Sequence, residues 1–273
     1  MKLYICADIE GVAGVVTMDH LSPDGFEYEK AREWMTGEVN AAIDGARAAG
    51  ITEFVISDSH GNGQNLLLDD LPDDVKVVRS WPRPLEMMQG LEEGGFCGVF
   101  LIGHHTGHTD MTGTIAHTIS GAVYEIRLNG APASETRINA AIAGHLGAPI
   151  LLATGDAAYQ VHVRDLLGDV PTVVTKTAYT DYCVQTLTPA RSRALIRAAA
   201  EAAVVERSAR SVYRVEGPVS IDMIFKQRAP AQVLSMWPGV EQVSATGVRF
   251  VAKDMEEAVR MVVVATNYDP KAR

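Results

Sequence analysis

Lys2-Leu3-Tyr4-Ile5-Cys6-Ala7-Asp8-Ile9-Glu10 is an apolar run that closes on two carboxylates. It reads as a buried strand from Lys2 to Ile9. Downstream, Trp34, Val39, Ile43 and Ala46 recur at near-helical spacing between Phe26 and Ala49, with Gly50 placed as a C-cap. A second apolar strand, Glu53 to Ser57, follows and completes a β-α-β unit. Further strands are predicted at Val75 to Arg79, Cys97 to Ile102, Pro149 to Ala153 and Thr172 to Thr175. Helices are predicted from Ser134 as N-cap to His145, from Asp156 to Leu167 and from Pro189 to about Glu206. Apolar strands alternating with amphipathic helices define the α/β class, a mostly parallel central sheet flanked by helices.

Two features depart from that alternation. Tyr124 to Leu128, Asn129-Gly130 and Ala131 onward predict an inserted hairpin, because Asn-Gly supplies the positive φ angles of a tight turn. Strands at Val219 to Phe225, Val240 to Ala245 and Val248 to Ala252, with a closing helix Met255 to Thr266, predict a smaller C-terminal lobe. Residues 1–273 are read as a single α/β domain, with 208–217 as the place where a lobe boundary would fall.

The 273 residues carry 24 basic and 34 acidic side chains, a formal charge of −10 that repels phosphate backbones and argues against nucleic-acid binding. No run approaches the ~20 apolar residues of a membrane span, and Asp8 interrupts the opening segment where a signal peptide needs apolar length. A cytoplasmic protein without membrane contact is expected. The three cysteines, Cys6, Cys97 and Cys183, are far apart and set in apolar surroundings, so buried reduced thiols are expected rather than a disulfide or a zinc knuckle. The acidic stretch Asp69 to Asp74 reads as a solvated turn.

Chemistry collects at strand ends. Asp8 and Glu10 close the first strand at a spacing of two, which puts both on one face if the strand persists through Glu10. His60 follows the second strand in Ser57-Asp58-Ser59-His60, and His104 follows the fourth in Leu101-Ile102-Gly103-His104. These are carboxyl ends of parallel strands, where open α/β sheets build ligand crevices. Two carboxylates and two imidazoles suit zinc or a similar divalent ion, and a bridging carboxylate lets two ions share a site. Asp58 is read either as standing behind His60 and orienting it, or as the start of an Asx turn. His20, His145 and His162 are read as structural or surface residues.

Taken in order, Leu3-Tyr4 to Gly11, Asp58-Ser59-His60, Gly103-His104-His105, Ala116-His117-Thr118 and Glu135 after Asn129-Gly130 resemble the DppA-type zinc-dependent D-aminopeptidases over nearly the whole chain. The resemblance implies two zinc ions per chain bridged by Asp8. Glu10 and His60 would complete one ion's protein ligands, His104 and Glu135 the other's, with His117 beside them as the catalytic histidine. It also implies release of N-terminal D-residues from short peptides, and a ring-stacked homodecamer enclosing a chamber. Two such ions would polarise the scissile carbonyl and stabilise the oxyanion, so no side-chain nucleophile is needed. His117 would shuttle the proton. His105 and His108 crowd the same loop, and each is read as facing solvent or supporting the ligands from behind, ahead of a substrate contact.

The expected function is a dinuclear zinc aminopeptidase acting on short peptides. The alternatives are another metal-dependent amidohydrolase on the same ligands (an L-aminopeptidase or a cyclic-amide hydrolase) or a catalytically silent metal-stabilised ring. Trp81, Trp237 and the apolar residues of 84–88 and 234–238 are expected to form contact patches of the ring.

Overall fold

The computed structural model describes residues 1–267. Its elements in chain order are β1 (Lys2–Ala7), α1 (Tyr28–Ala48), β2 (Glu53–Asp58), β3 (Lys76–Val78), β4 (Phe96–His104), β5 (Val123–Leu128) and β6 (Ala131–Pro132). There follow α2 (Glu135–His145), β7 (Ile150–Asp156), α3 (Ala157–Leu167), β8 (Thr172–Thr180), β9 (Cys183–Thr186), α4 (Pro189–Val205), β10 (Val219–Phe225), α5 (Arg228–Leu234), β11 (Val240–Gln242), β12 (Gly247–Ala252) and α6 (Met255–Asn267).

Seven strands form one sheet in the order β3-β2-β1-β4-β7-β8-β9, parallel except for the last pair. Alternation along β1 explains why it is apolar throughout. Leu3, Ile5 and Ala7 enter the core shared with Met35, Ile43 and Val39 of α1 and Ile196 and Val204 of α4, while Tyr4 and Cys6 enter the core on the opposite face. That second core also takes Ile138 and Ile142 from α2 and Val259 and Val262 from α6. Between Lys2 at its start and Asp8 just past its end, β1 carries no charge.

The chain turns to opposite sides of β1 to lay down β2 and β4. Ala7 pairs with Asp58 on one flank and with Ile102 on the other, so the ends of β1 and β2 are level and β4 runs on beyond them to His104. This reversal of strand order opens a crevice at the carboxyl ends.

The hairpin predicted around Asn129-Gly130 forms, with Asn129 at φ 49° and Gly130 at φ 79°. Its partners were not legible. β5 pairs antiparallel with β10, so the hairpin joins the C-terminal strands in a second sheet ordered β11-β12-β10-β5-β6. Three other expectations need correction. β1 ends at Ala7, so Asp8 and Glu10 belong to the turn after it rather than to a strand face. Cys183 is exposed because it lies on β9, at the sheet edge, and Cys97 is half-buried, leaving Cys6 as the buried thiol. Leu85, Met87 and Met88 are buried in the monomer core and form no contact patch, whereas Met236 and Trp237 are exposed. Among the described residues no helix is long and apolar enough to cross a membrane.

Candidate metal centre

At the crevice the exits of β1 and β4 are pressed together. Asp8 N donates to Ile102 O at 2.8 Å and Gly11 N to Gly103 O at 2.7 Å. A Cβ on Gly11 would collide with the His104 carbonyl, and one on Gly103, which sits at φ 74°, would collide with the Asp8 carbonyl. Glycine is required at both places for the backbones to meet.

The turn that carries Glu10 is braced from β8 and the helices. The buried ammonium of Lys176 donates to the carbonyls of Glu10, Val12 (3.1 Å) and Val15, one acceptor for each of its three protons. Glu38 accepts from Ala13 N at 3.0 Å and from Ser192 Oγ at 2.7 Å. Neither Lys176 nor Glu38 was singled out from the sequence. A lysine inside the apolar run Val173-Val174-Thr175-Lys176 was the available signal for the first.

Asp8, Glu10, His60, His104 and Glu135 come together with His105 and His117. Ligand atoms of Asp8, Glu10 and His60 lie within 4.8 Å of one another, as do those of Asp8, His104 and Glu135, so one carboxylate belongs to both triads. Glu10, His105 and His117 form a third such group. Asp8, Glu10, His60, His104, His105 and Glu135 are all buried, and His117 is the half-exposed member.

Glu135 arrives on the first turn of α2. Ser134 caps that helix by accepting from Arg137 N at 3.2 Å, and Glu135 Oε1 accepts from Ile119 N at 2.5 Å. The positive end of the helix dipole favours its ionised form.

The four imidazoles share one design. His60 Nε2 donates to Leu21 O (2.9 Å), His104 Nε2 to Cys6 O (3.3 Å), His105 Nδ1 to Thr106 O (2.8 Å) and His117 Nδ1 to Ile115 O (3.1 Å). A carbonyl only accepts, so each ring holds a proton there, and its other nitrogen is free to offer a lone pair when the ring is neutral. Without a cation the neighbouring carboxylates outweigh burial and favour the charged form of His60 and His105, the latter raised to about 10. Those nitrogens face carboxylates. His60 Nδ1 is 3.1 Å from Glu10 and 3.4 Å from Asp8, and His104 Nδ1 is 3.8 Å from Asp8 Oδ2. His105 Nε2 is 3.2 Å from Glu135, and His117 Nε2 is 3.8 Å from Glu135 and 3.9 Å from Glu10. The rings of His105 and His117 stack at 4.3 Å.

Electrostatics reflect the crowding. Burial, with Glu10 beside it, holds the Asp8 carboxyl well above the usual carboxylate range. Burial would raise Glu10 too, but His60, His117 and His105 outweigh it and hold that carboxyl well below. Burial pushes His104 down to about 4. Buried Asp8 Oδ2, His104 Nδ1 and His105 Nε2 find no hydrogen-bond partner among the described residues. Carboxylate oxygens and ring nitrogens converging in a buried site, some of them unpartnered, fit a cation, and nitrogen and carboxylate donors fit zinc.

A cleft of about 650 Å³ opens over this cluster, lined among others by His60, Trp81, Glu86, His117, Glu135 and Lys226. Asp58 does not touch His60 directly. Its oxygens accept from Asn65 N, Asn65 Nδ2 and Leu66 N, and Asn65 Nδ2 also donates to His60 O.

A family profile described as peptidase M55, D-aminopeptidase, matches residues 1–264. The chain belongs to the M55 D-aminopeptidase family. It is accordingly an enzyme, a peptide hydrolase of the aminopeptidase type. A D-aminopeptidase of Bacillus subtilis (strain 168) is 29% identical to this aminopeptidase over 268 residues, covering 97% of both chains. Among solved structures, the Zn-dependent D-aminopeptidase DppA from Bacillus subtilis, described as a self-compartmentalizing protease, superposes with a TM-score of 0.93 at 28% identity and covers 97% of both chains. The α/β architecture is therefore that of the DppA fold.

Proposed function

We propose that this M55 chain is a dinuclear zinc aminopeptidase that removes the N-terminal residue of short peptides, with preference for D-residues. The observation that carries the reading is the pair of ligand triads sharing Asp8. Asp8 would bridge, Glu10 and His60 would hold one ion, and His104 and Glu135 the other. The zinc dependence stated for the Bacillus subtilis relative supports the choice of metal. When bound, the two ions would polarise the scissile carbonyl, acidify the attacking water and stabilise the oxyanion.

The chain's own residues supply the rest. His117 keeps its proton at Nδ1 on Ile115 O, so Nε2 is the atom that takes a proton from the attacking water and returns it to the leaving amine. Its stack on His105 fixes the ring plane, and its partial exposure leaves room for substrate. His105, with Nδ1 held by Thr106 O and Nε2 3.2 Å from Glu135, lies beside that carboxylate and would steady it when its ring is protonated.

Elemental analysis of the zinc-saturated protein, with a panel of D- and L-dipeptides, tests the reading. About two zinc per chain and faster cleavage of D-residues are expected. A fully active protein with one zinc would overturn the dinuclear assignment, and equal rates on L-peptides the stereochemical one.

The self-compartmentalizing description of the relative supports a homo-oligomer here as well, and the family resemblance implies ten chains. Met111, Met236 and Trp237, at 96%, 79% and 59% exposure, are apolar surface that such an assembly would cover. Light scattering should report about ten chains, with activity falling as peptides lengthen. An active monomer would rule the chamber out.

A further inference from the structure

Glu86 stands apart from the other carboxylates of the cleft. Asp8, Glu10 and Glu135 face imidazoles, and Asp181 is exposed and accepts from Ile115 N at 2.8 Å. Glu86 is 5% exposed, lines the same cleft, and forms no ion pair among the described residues. The arginine three residues before it is already committed. Arg83 donates to Ser80 O (2.6 Å), Ser57 Oγ (2.8 Å) and Asp58 O (2.6 Å), and its guanidinium lies 4.0 Å over the Trp81 ring.

The backbone adds an independent observation. Glu86 adopts φ 53°, a left-handed conformation that a residue with a Cβ disfavours. It is held there because Leu85, Met87 and Met88 on either side are buried in the core, while Glu86 N donates to Arg83 O at 3.1 Å. Strain kept in a cleft wall by packing on both sides is a mark of a functional position. Burial and the neighbouring Glu135 carboxylate push the Glu86 carboxyl up to about 8, so the position gains when a cation arrives.

An enzyme that cuts at the N-terminus must recognise a free ammonium two bonds from the scissile carbonyl carbon, inside the same cleft as the reacting groups. We infer that Glu86 is the residue that receives the substrate's α-ammonium group. The inference rests on the aminopeptidase reading above and deepens it. A side-chain ammonium on a basic N-terminal residue has the same chemistry, so the test separates the two sources.

The zinc-loaded wild type and Glu86→Gln are compared on D-Ala-D-Ala and its desamino analogue propionyl-D-Ala. The wild type should favour the free amine, and the variant should lose about 10- to 100-fold of that discrimination, mainly in KM, with zinc content unchanged. Calorimetric binding of D-alanine against propionate gives a readout that needs no turnover, and its preference should collapse in parallel. Glu86→Gly, which accepts the positive φ, should behave like Glu86→Gln. Retention of the wild-type preference in both variants overturns the inference. So does a variant that loses only its preference for D-Lys over D-norleucine substrates, which would assign Glu86 to the side chain. If the wild type cleaves no peptide, the aminopeptidase reading fails, while the calorimetric comparison still decides the role of Glu86.

Discussion

The turn after β1 and the segment after β4 deliver side chains to one cluster, and they are built in opposite ways. From Asp8 to Val15 nearly every residue is buried, and the backbone is held by Lys176, Glu38 and the Gly103 carbonyl. Between Gly107 and Ser120 much of the chain meets solvent, Met111 is 96% exposed, and Ile115 and Ile119 sit at φ 52° and 60°. Positive φ at a β-branched residue is strained, and here it brackets His117. Fixed charge is set on cross-braced buried backbone, and the group assigned to proton transfer is set where water and substrate reach it. Holding an ion demands geometry, whereas trading a proton demands access as well.

The largest expected effect tests the braced side. Asp8→Asn removes the carboxylate common to both triads, so kcat/KM should fall about 10⁴-fold, the equivalent of several kcal/mol of lost charge stabilisation. Zinc content should drop below one per chain. If two zinc remain, the turn after β1 is not what holds them.

His117→Ala tests the open side. Turnover should drop by roughly 10²–10⁴ with zinc retained, as for a lost acid–base group. Loss of zinc along with activity would erase the division of labour between the two segments.

Lys176→Met asks whether bracing matters for its own sake. The substitution leaves three buried carbonyls without their donor, so unfolding stability should fall by about 3 kcal/mol and zinc affinity by roughly 10- to 100-fold. Denaturant melts and competition with a chelator read the two separately. An unchanged affinity in a destabilised protein would reduce Lys176 to a fold residue.

The smallest effect on turnover concerns Glu38. Burial raises its carboxyl to about 7 against the opposing bonds from Ser192 and Ala13 and the charge of Lys176. The folded state therefore holds a proton that the unfolded chain has released above about 4.5, and stability falls as pH rises from there through 7. The zinc-free protein should lose on the order of 2–3 kcal/mol across that window. Glu38→Gln should flatten the loss, and denaturant midpoints at intervals of pH would show a slope unchanged by the variant if Glu38 is not responsible.

The positions of Asp8, Glu10, His60 and His104 were legible because each closes a continuous apolar run, and parallel strands present such endings on one edge. Ser134 before Glu135 was legible as a cap. Pairing across long sequence separation left no local mark. β5 reads as half of an isolated hairpin until β10, some ninety residues on, is laid beside it. The run Pro84 to Met88 was misread for a related reason. Its short 3₁₀ turn lacks a period, so sequence alone does not distinguish apolar residues driven into the core from those left on the surface. The tether of each imidazole to a carbonyl, including that of His105, depends on backbone brought from elsewhere in the chain or on loop geometry, and no spacing rule contains it.

The way Glu86 is mounted bears on how such an enzyme changes over evolutionary time. Leu85, Met87 and Met88 hold the segment whatever side chain stands between them, since all three are packed into the core, although Met87 also lines the cleft. Position 86 is thus a replaceable tip on a fixed stem. If Glu86 receives the substrate's ammonium, selection could retune what the cleft accepts by exchanging one residue, leaving the backbone that carries the candidate metal ligands and the packing that supports it untouched.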